Sequence, residues 1–349
     1  MAGYGAADFE LPDAAAELIA EAVPENTARA YRSRWRSFEA WCLRAGRVPL
    51  PATAQTVAAY LSHLATARRL KATTAGAHLA AIRAVHRAAG EVPPDSLAAR
   101  KVVVAAQRRE ARRDGRYGPR RALPVMARDL PSVVAACDTG TAAGLRNRAV
   151  VLLGFALLAR RGELAALNIS DIVLVPAEGL EVTVRSSKTD QAAAGVIRRV
   201  HYASSEAVCP VRATQAWISF LAARGITSGP LFTRVDRWGH VAAGAGGRYS
   251  SPAARDGRLR PQAIGDIVAA VCAAAGLGGP GTAAAAAGAG RRHTGHSLRR
   301  GGATSMLKAG ASPLAVSRHG RWADGSRSFA GYVEEATGFG DGNPTKGLL

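Results

Sequence analysis

From about Asn26 to Arg109 the apolar residues recur at helical spacing. Tyr31, Trp35, Phe38 and Cys42 fall at i, i+4, i+7 and i+11, which predicts a helix that buries one aromatic face. Arg29, Arg32 and Arg36 share another face of that helix, suited to meeting phosphates or simply to facing water. Thr53 reads as the N-cap of a second helix, striped by Val57, Tyr60, Leu61 and Leu64. Leu79, Ile82 and Val85 mark a third, and Asp95, after Pro93-Pro94, opens a fourth. These elements predict a small all-α domain over residues 24–110, behind an acidic N-terminal segment, 1–23.

The pattern changes after residue 123. A strongly apolar helix from about Leu145 to Leu158 should be buried on most sides and anchor a second core. Leu180, Val182 and Val184 alternate as a strand, residues 186–195 turn, and Val196, Ile197 and Val200 supply a return strand. That hairpin would carry Lys188 near its tip. Gly/Ala-rich stretches near 242–248 and 279–292 read as flexible insertions. The expected class is mainly α with a small β-sheet in the C-terminal domain.

Composition narrows the partner. The 349 residues and 48% hydrophobic content suit two buried cores. Lysine and arginine number 46 against 26 acids, a net charge of +20, which fits a polyanion such as nucleic acid. Membrane is the competitor, but the longest apolar run, Ala149 to Ala159, is only 11 residues and is bracketed by Arg148 and Arg160. The first 22 residues carry five acids and no lysine or arginine, the reverse of a secretory leader. Cys42, Cys137, Cys209 and Cys272 lie far apart, as reduced structural thiols rather than a zinc site or disulfide scaffold. Between Arg100 and Arg121 stand nine bases and two acids. With Arg108, Arg109, Arg112 and Arg113 at its centre, this reads as a basic linker, placed at 111–122 between the domains. It could track a phosphate backbone while two domains close around a duplex, and a solvated tether fits the same residues.

Three segments carry candidate chemistry: Arg160-Arg161-Gly162-Glu163-Leu164, His296-Ser297-Leu298-Arg299, and Gly320-Arg321-Trp322 followed by Tyr332. Of seven tyrosines, Tyr332 alone lies downstream of Arg299. Two arginine forks can hold phosphate oxygens, and a three-residue His-to-Arg spacing at a helix start puts both side chains on one face near backbone N–H groups. No carboxylate cluster for two magnesium ions and no P-loop is visible.

In order and separation these segments resemble the tyrosine recombinases, the phage-integrase family, from about Asn26 to Leu349. The resemblance implies an all-α, SAM-like core-binding domain followed by an α+β catalytic domain over 123–349. It also implies a site of Arg160, Lys188, His296, Arg299, Trp322 and the nucleophile Tyr332. His296 would orient the phosphate or accept the tyrosine proton, and Lys188 would protonate the departing 5′-oxygen. The family usually shows nine residues from its His/Trp position to the tyrosine. Here Trp322 to Tyr332 is ten, so Trp322 and His319 both remain candidates for that position. Further implied are double-stranded DNA as partner, a homo-tetramer assembled on DNA, possible accessory directionality or bending proteins, no metal or other cofactor, and a cytoplasmic, nucleoid-associated setting. A type IB topoisomerase-like enzyme and a non-catalytic DNA-binding protein of recombinase ancestry are the alternative readings.

Overall fold

The computed structural model describes residues 5, 12–15, 23–114, 122–185, 195–242, 256–278, 292–338, 343 and 345–346. Lys188, most of the acidic N-terminal segment, and most of the two Gly/Ala-rich insertions lie outside them. The chain forms two units, Met1–Pro119 and Arg120–Leu349. No described helix is long and apolar enough to cross a membrane. The four cysteines are free and buried.

The first unit is helical: α1 (Glu25–Arg44), α2 (Ala54–Thr66), α3 (Ala72–Ala88) and α4 (Leu97–Asp114). On α1, Phe38 and Cys42 are fully buried, while Tyr31 and Trp35 sit half-buried at the edge of the same face. Phe38 and Trp41 pack on Tyr60 of α2 with ring centroids 5.0 and 5.2 Å apart, the tilted geometry aromatic quadrupoles favour. Thr53 caps α2 by accepting from the Thr56 N–H at 3.1 Å, and the Leu97 N–H opens α4 on the Asp95 carboxylate.

The basic run is not all linker. α4 extends to Asp114, so Arg108, Arg109, Arg112 and Arg113 stand on a helix, and only 115–121 lie outside the described residues. The physical reason is a stripe that the dense charge hides. Ala99, Val102, Val103, Ala106 and Glu110 recur every three or four residues and turn toward the other helices. Glu110 takes the Ala72 N–H at 3.2 Å, setting a carboxylate at the positive end of α3. All four arginines are exposed.

The second unit is built on α6 (Ala142–Ala156), preceded by the short α5 (Leu130–Ala135). Ala149 to Leu153 of α6 are at most 1% exposed, with apolar neighbours on nearly every side. A three-stranded antiparallel sheet follows α7 (Arg161–Ala166), in the order β1 (Ile172–Val175), β2 (Gly179–Val184), β3 (Val196–His201). Register pairs such as Leu180 with Val200 put Leu180, Val182 and Val184 on the core face. Then come α8 (Pro210–Ala222), α9 (Pro261–Ala274), α10 (Gly295–Lys308), α11 (Pro313–Gly320) and α12 (Arg327–Thr337).

Helix α10 lies against its neighbours with no room for side chains at two positions. A Cβ on Gly301 would stand 1.7 Å from the Val125 carbonyl oxygen, and one on Gly302 would stand 2.8 Å from that of Phe155. Gly302 lets α10 approach the end of α6, and Gly301 the segment at Val125, both at backbone distance, which decides where Arg299 can reach. Gly301→Ala should therefore destabilise the protein by about 1–3 kcal/mol, the ordinary cost of overpacking against backbone. Urea unfolding followed by circular dichroism checks it, and an unchanged midpoint would contradict the close approach.

Candidate active site

Helix α6 ends in the core, and its last carbonyls need donors. They find them in two distant segments. The Ala156 carbonyl accepts from His319 Nε2 at 2.8 Å, that of Leu157 from both terminal nitrogens of Arg321 at 3.3 Å, and that of Leu158 from Arg299 Nη1. Leu158 has a positive φ of 49°, a strained setting for leucine that turns its carbonyl toward α10.

Arg160 immediately precedes α7. Its N–H donates to Glu163 Oε2 at 2.8 Å and its Nη1 to Oε1 at 2.5 Å. Arg321 Nη2 donates to the same carboxylate at 2.6 Å, while Arg160 Nη2 donates to the Arg321 carbonyl at 3.3 Å. Glu163 thus ties Arg160 to the end of α11. Burial pushes its carboxyl pKa up, but Arg321 and the hydrogen bonds from Arg160 outweigh that and hold it below the usual carboxylate range.

On α10, Thr294 caps the helix and exchanges hydrogen bonds with Ser297, leaving His296 and Arg299 in the first turns. Arg299 is 1% exposed. Its guanidinium carbon lies 3.7 Å from the centre of the Trp322 ring, a cation–π contact with little water to compete. Its Nη2 is buried with no hydrogen-bond partner. Burial, then the nearby Arg160, lowers its pKa to about 9, so it stays charged at neutral pH. His296 Nε2 stands 2.8 Å from the Tyr332 hydroxyl. Burial first, then Arg299, Arg160 and Arg300, lower the His296 pKa, which favours the neutral ring and lets Nε2 accept from the phenol.

Tyr332, on α12, is 4% exposed. The Trp322 ring meets it edge-on at 5.7 Å and Phe329 at 4.9 Å. Between Trp322 and Tyr332 the chain turns at residues 323–326, with Gly325 at φ 70°, which takes up the ten-residue separation.

The structure therefore brings Arg160, His296, Arg299, Trp322 and Tyr332 to one place. Trp322 lies between Arg299 and Tyr332, whereas His319 faces the end of α6. Lys188 lies outside the described residues. Sequence reasoning missed Arg321, which is buried and left-handed at φ 59°. Its only sequence signal was its place between Gly320 and Trp322. Arg29, Arg32 and Arg36 are exposed along α1, with Arg29 paired to Glu25 at 2.6 Å.

Chemically, three guanidiniums (Arg160, Arg299 and Arg321) face one carboxylate, so the site carries surplus positive charge beside a phenol that already has a proton acceptor. It suits attack by that phenol on an anionic centre.

Comparison with known proteins agrees. The description "Phage integrase, N-terminal SAM-like domain" matches residues 16–91. An integrase/recombinase xerD homolog of Selenomonas ruminantium is 29% identical over 91% of this chain and 84% of its own length. Recombinase cre of Escherichia phage P1 is 26% identical over 86% of this chain and 82% of its own. In fold, a lambda integrase(75-356) dimer bound to a COC′ core site matches with a TM-score of 0.54 at 16% identity, covering 90% of this chain and 91% of that one. A helical SAM-like domain followed by a mostly helical second unit with a small sheet is the arrangement of the integrase fold. In sequence and in fold the chain is similar to tyrosine recombinases.

Removing the Glu163 charge would leave two arginines without their anion. Glu163→Gln should cost about 3–5 kcal/mol, as for one partner lost from a buried pair. A carboxyl whose native pKa is depressed contributes stability above its unfolded value, about 4.3, and loses it as pH falls through the lower native value. The gap between wild type and Glu163→Gln should thus be full above about pH 4.5 and close below it. Guanidinium unfolding across pH reads this directly, and a gap independent of pH would refute the brace.

Proposed function

We propose that this protein is a site-specific DNA recombinase that cuts and rejoins strands through a 3′-phosphotyrosyl link to Tyr332, without metal or ATP. The observation that carries the reading is the 2.8 Å contact from Tyr332 to His296 Nε2 beside Arg299, whose Nη2 is buried and unpartnered.

A tyrosine of pKa near 10 is about one part in a thousand ionised at pH 7, so making the phenolate costs on the order of 4 kcal/mol. A neutral His296 receives that proton as attack begins. Arg160 and Arg299 hold non-bridging phosphate oxygens and stabilise the charge that grows there, the work metal ions do elsewhere. Trp322 keeps Arg299 from turning away. Lys188 protonates the departing 5′-oxygen. The phosphotyrosyl link conserves the bond energy, so another strand's 5′-hydroxyl reverses the step and completes exchange.

Two duplexes need four such sites, which supports a homo-tetramer on DNA. Among the structural neighbours is a lambda integrase tetramer bound to a Holliday junction, matching at 16% identity with a TM-score of 0.54 and covering 89% of this chain and 72% of that one. The net charge of +20, the α1 arginines and the four exposed α4 arginines support binding to double-stranded DNA, with accessory bending proteins as possible helpers.

Tyr332→Phe should bind DNA as wild type does but form no covalent adduct on a nicked substrate, and normal adduct yield from it would refute the nucleophile. Adduct formation should persist in excess EDTA without ATP. Exchange between two sites separates a recombinase from a topoisomerase, and absence of any adduct from wild type leaves only the non-catalytic DNA-binding reading. Replacing Arg108, Arg109, Arg112 and Arg113 with glutamine should flatten the slope of log affinity against log salt by up to roughly four units, for specific and random DNA alike. An unchanged slope would make that face of α4 a bystander.

A further inference from the structure

Arg300 follows Arg299 in sequence but points elsewhere, and beyond its charge acting on His296 the mechanism above gives it no contact with the phenol or the phosphate. It is buried all the same. Its side chain is 8% exposed, and its Nη2 and Nε donate to one oxygen of Glu335 at 2.6 and 3.1 Å. Its Nη1 donates to the Ala122 carbonyl at 2.5 Å.

Glu335 stands three residues beyond Tyr332 on α12, and Arg300 four beyond His296 on α10. At those spacings each pair shares a helix face. The two helices therefore meet through two polar contacts, His296 with Tyr332 and Arg300 with Glu335. Around these contacts Phe329 and Tyr332 of α12 pack in an apolar cluster with Ala303 of α10, Val316 of α11 and Leu158. The hydrophobic effect is not directional, so the angle-dependent hydrogen bonds of an ion pair add a restraint on rotation that apolar burial does not specify. The phenol oxygen lies far from the helix axis, so turning α12 by about 10° would move it on the order of 1.5 Å, taking a helix radius near 2.3 Å plus the length of a tyrosine. A misplacement of about 1 Å can cost a hundredfold in rate.

We propose that Arg300 and Glu335 are a positioning pair that fixes the rotation of α12 and so delivers the Tyr332 oxygen to His296. The pair acts on its own chain, holding the nucleophile ready before DNA arrives. Through Ala122, the same guanidinium binds the segment entering the unit to the nucleophile helix. Leu123 and Val125 continue that segment along α10 by donating to the Arg292 and Ser297 carbonyls at 3.2 and 3.1 Å.

The catalytic consequence rests on Tyr332 being the nucleophile, so the test has one arm that needs no activity. Wild type, Glu335→Gln, Arg300→Gln and the double variant are compared by hydrogen exchange without DNA. They are then compared by single-turnover adduct formation at saturating nicked DNA, with DNA affinity measured alongside. Loss of the pair should speed exchange in 327–337 about tenfold while 261–274 keeps its protection. The adduct rate should fall roughly tenfold to a hundredfold with affinity unchanged. The double variant should be no worse than the singles, because they remove one shared interaction.

Exchange and rate within twofold of wild type in Glu335→Gln would overturn the proposal. Loss of protection throughout the unit would overturn it too, by making the pair a general stability contact. If wild type itself forms no adduct, the proposed function falls, while the exchange arm still decides whether the pair holds the helix.

Discussion

The C-terminal end of α6 is the constraint on which the site depends. The helix is almost wholly apolar and sits inside the core, so its position is set by packing that tolerates little change. Its last carbonyls are strong acceptors at the negative end of a helix dipole, and leaving them bare inside the protein would be costly. Arg299, His319 and Arg321 answer that need from segments 141 to 164 residues away. The arginine that faces the reacting centre is thus aimed by backbone atoms of the hydrophobic core. Substituting a neighbouring side chain cannot remove such a partner.

Glu163 is the complementary device. One carboxylate, itself buried, spreads its charge over Arg160 and Arg321 and leaves Arg299 uncompensated. A fully neutralised cluster would be more comfortable without substrate and would bind an anion less well. In this one, burial and the neighbouring arginines lower the pKa values of Arg299 and His296, and an anion placed beside them would oppose both shifts. Burial first, and then the same arginines, shift His296 toward the neutral form, in which its Nε2 can accept from the Tyr332 hydroxyl.

Much of this was legible in the chain before folding was considered. Periodicity located α1 to α3, the Thr53 cap and the β2–β3 pair, because each follows from local rules. What escaped depended on long-range contacts. β1, with the sequence Ile172-Val173-Leu174-Val175, has no alternation and exposes its two middle residues, so it gave no pattern to find. The length of α4 was masked by arginines on its outer face, though the alanines and valines beneath them kept helical spacing. Five of the six expected site residues could be ordered by motif. The left-handed turn at Arg321 could not, because a non-glycine residue there persists only when its side chain is held elsewhere. Arg300 and Glu335 gave no signal either, since neither belongs to a spacing that one element alone would explain.

Trp322 and His319, which spacing leaves as alternatives, stand in different surroundings. His319 has its Nε2 committed to a backbone carbonyl and supports the turn rather than the phenol. Trp322 folds back over Gly320, where a Cβ would meet its ring at 1.8 Å, and this lays the indole face against Arg299 and its edge against Tyr332. Arg299 is stacked on the Trp322 ring and bonded through Nη1 to the Leu158 carbonyl, which leaves donors on its other nitrogens for a further hydrogen bond. Among these is the unpartnered Nη2. One indole therefore packs against both the arginine that would hold a phosphate and the tyrosine that would attack it, so the two are placed by a single side chain.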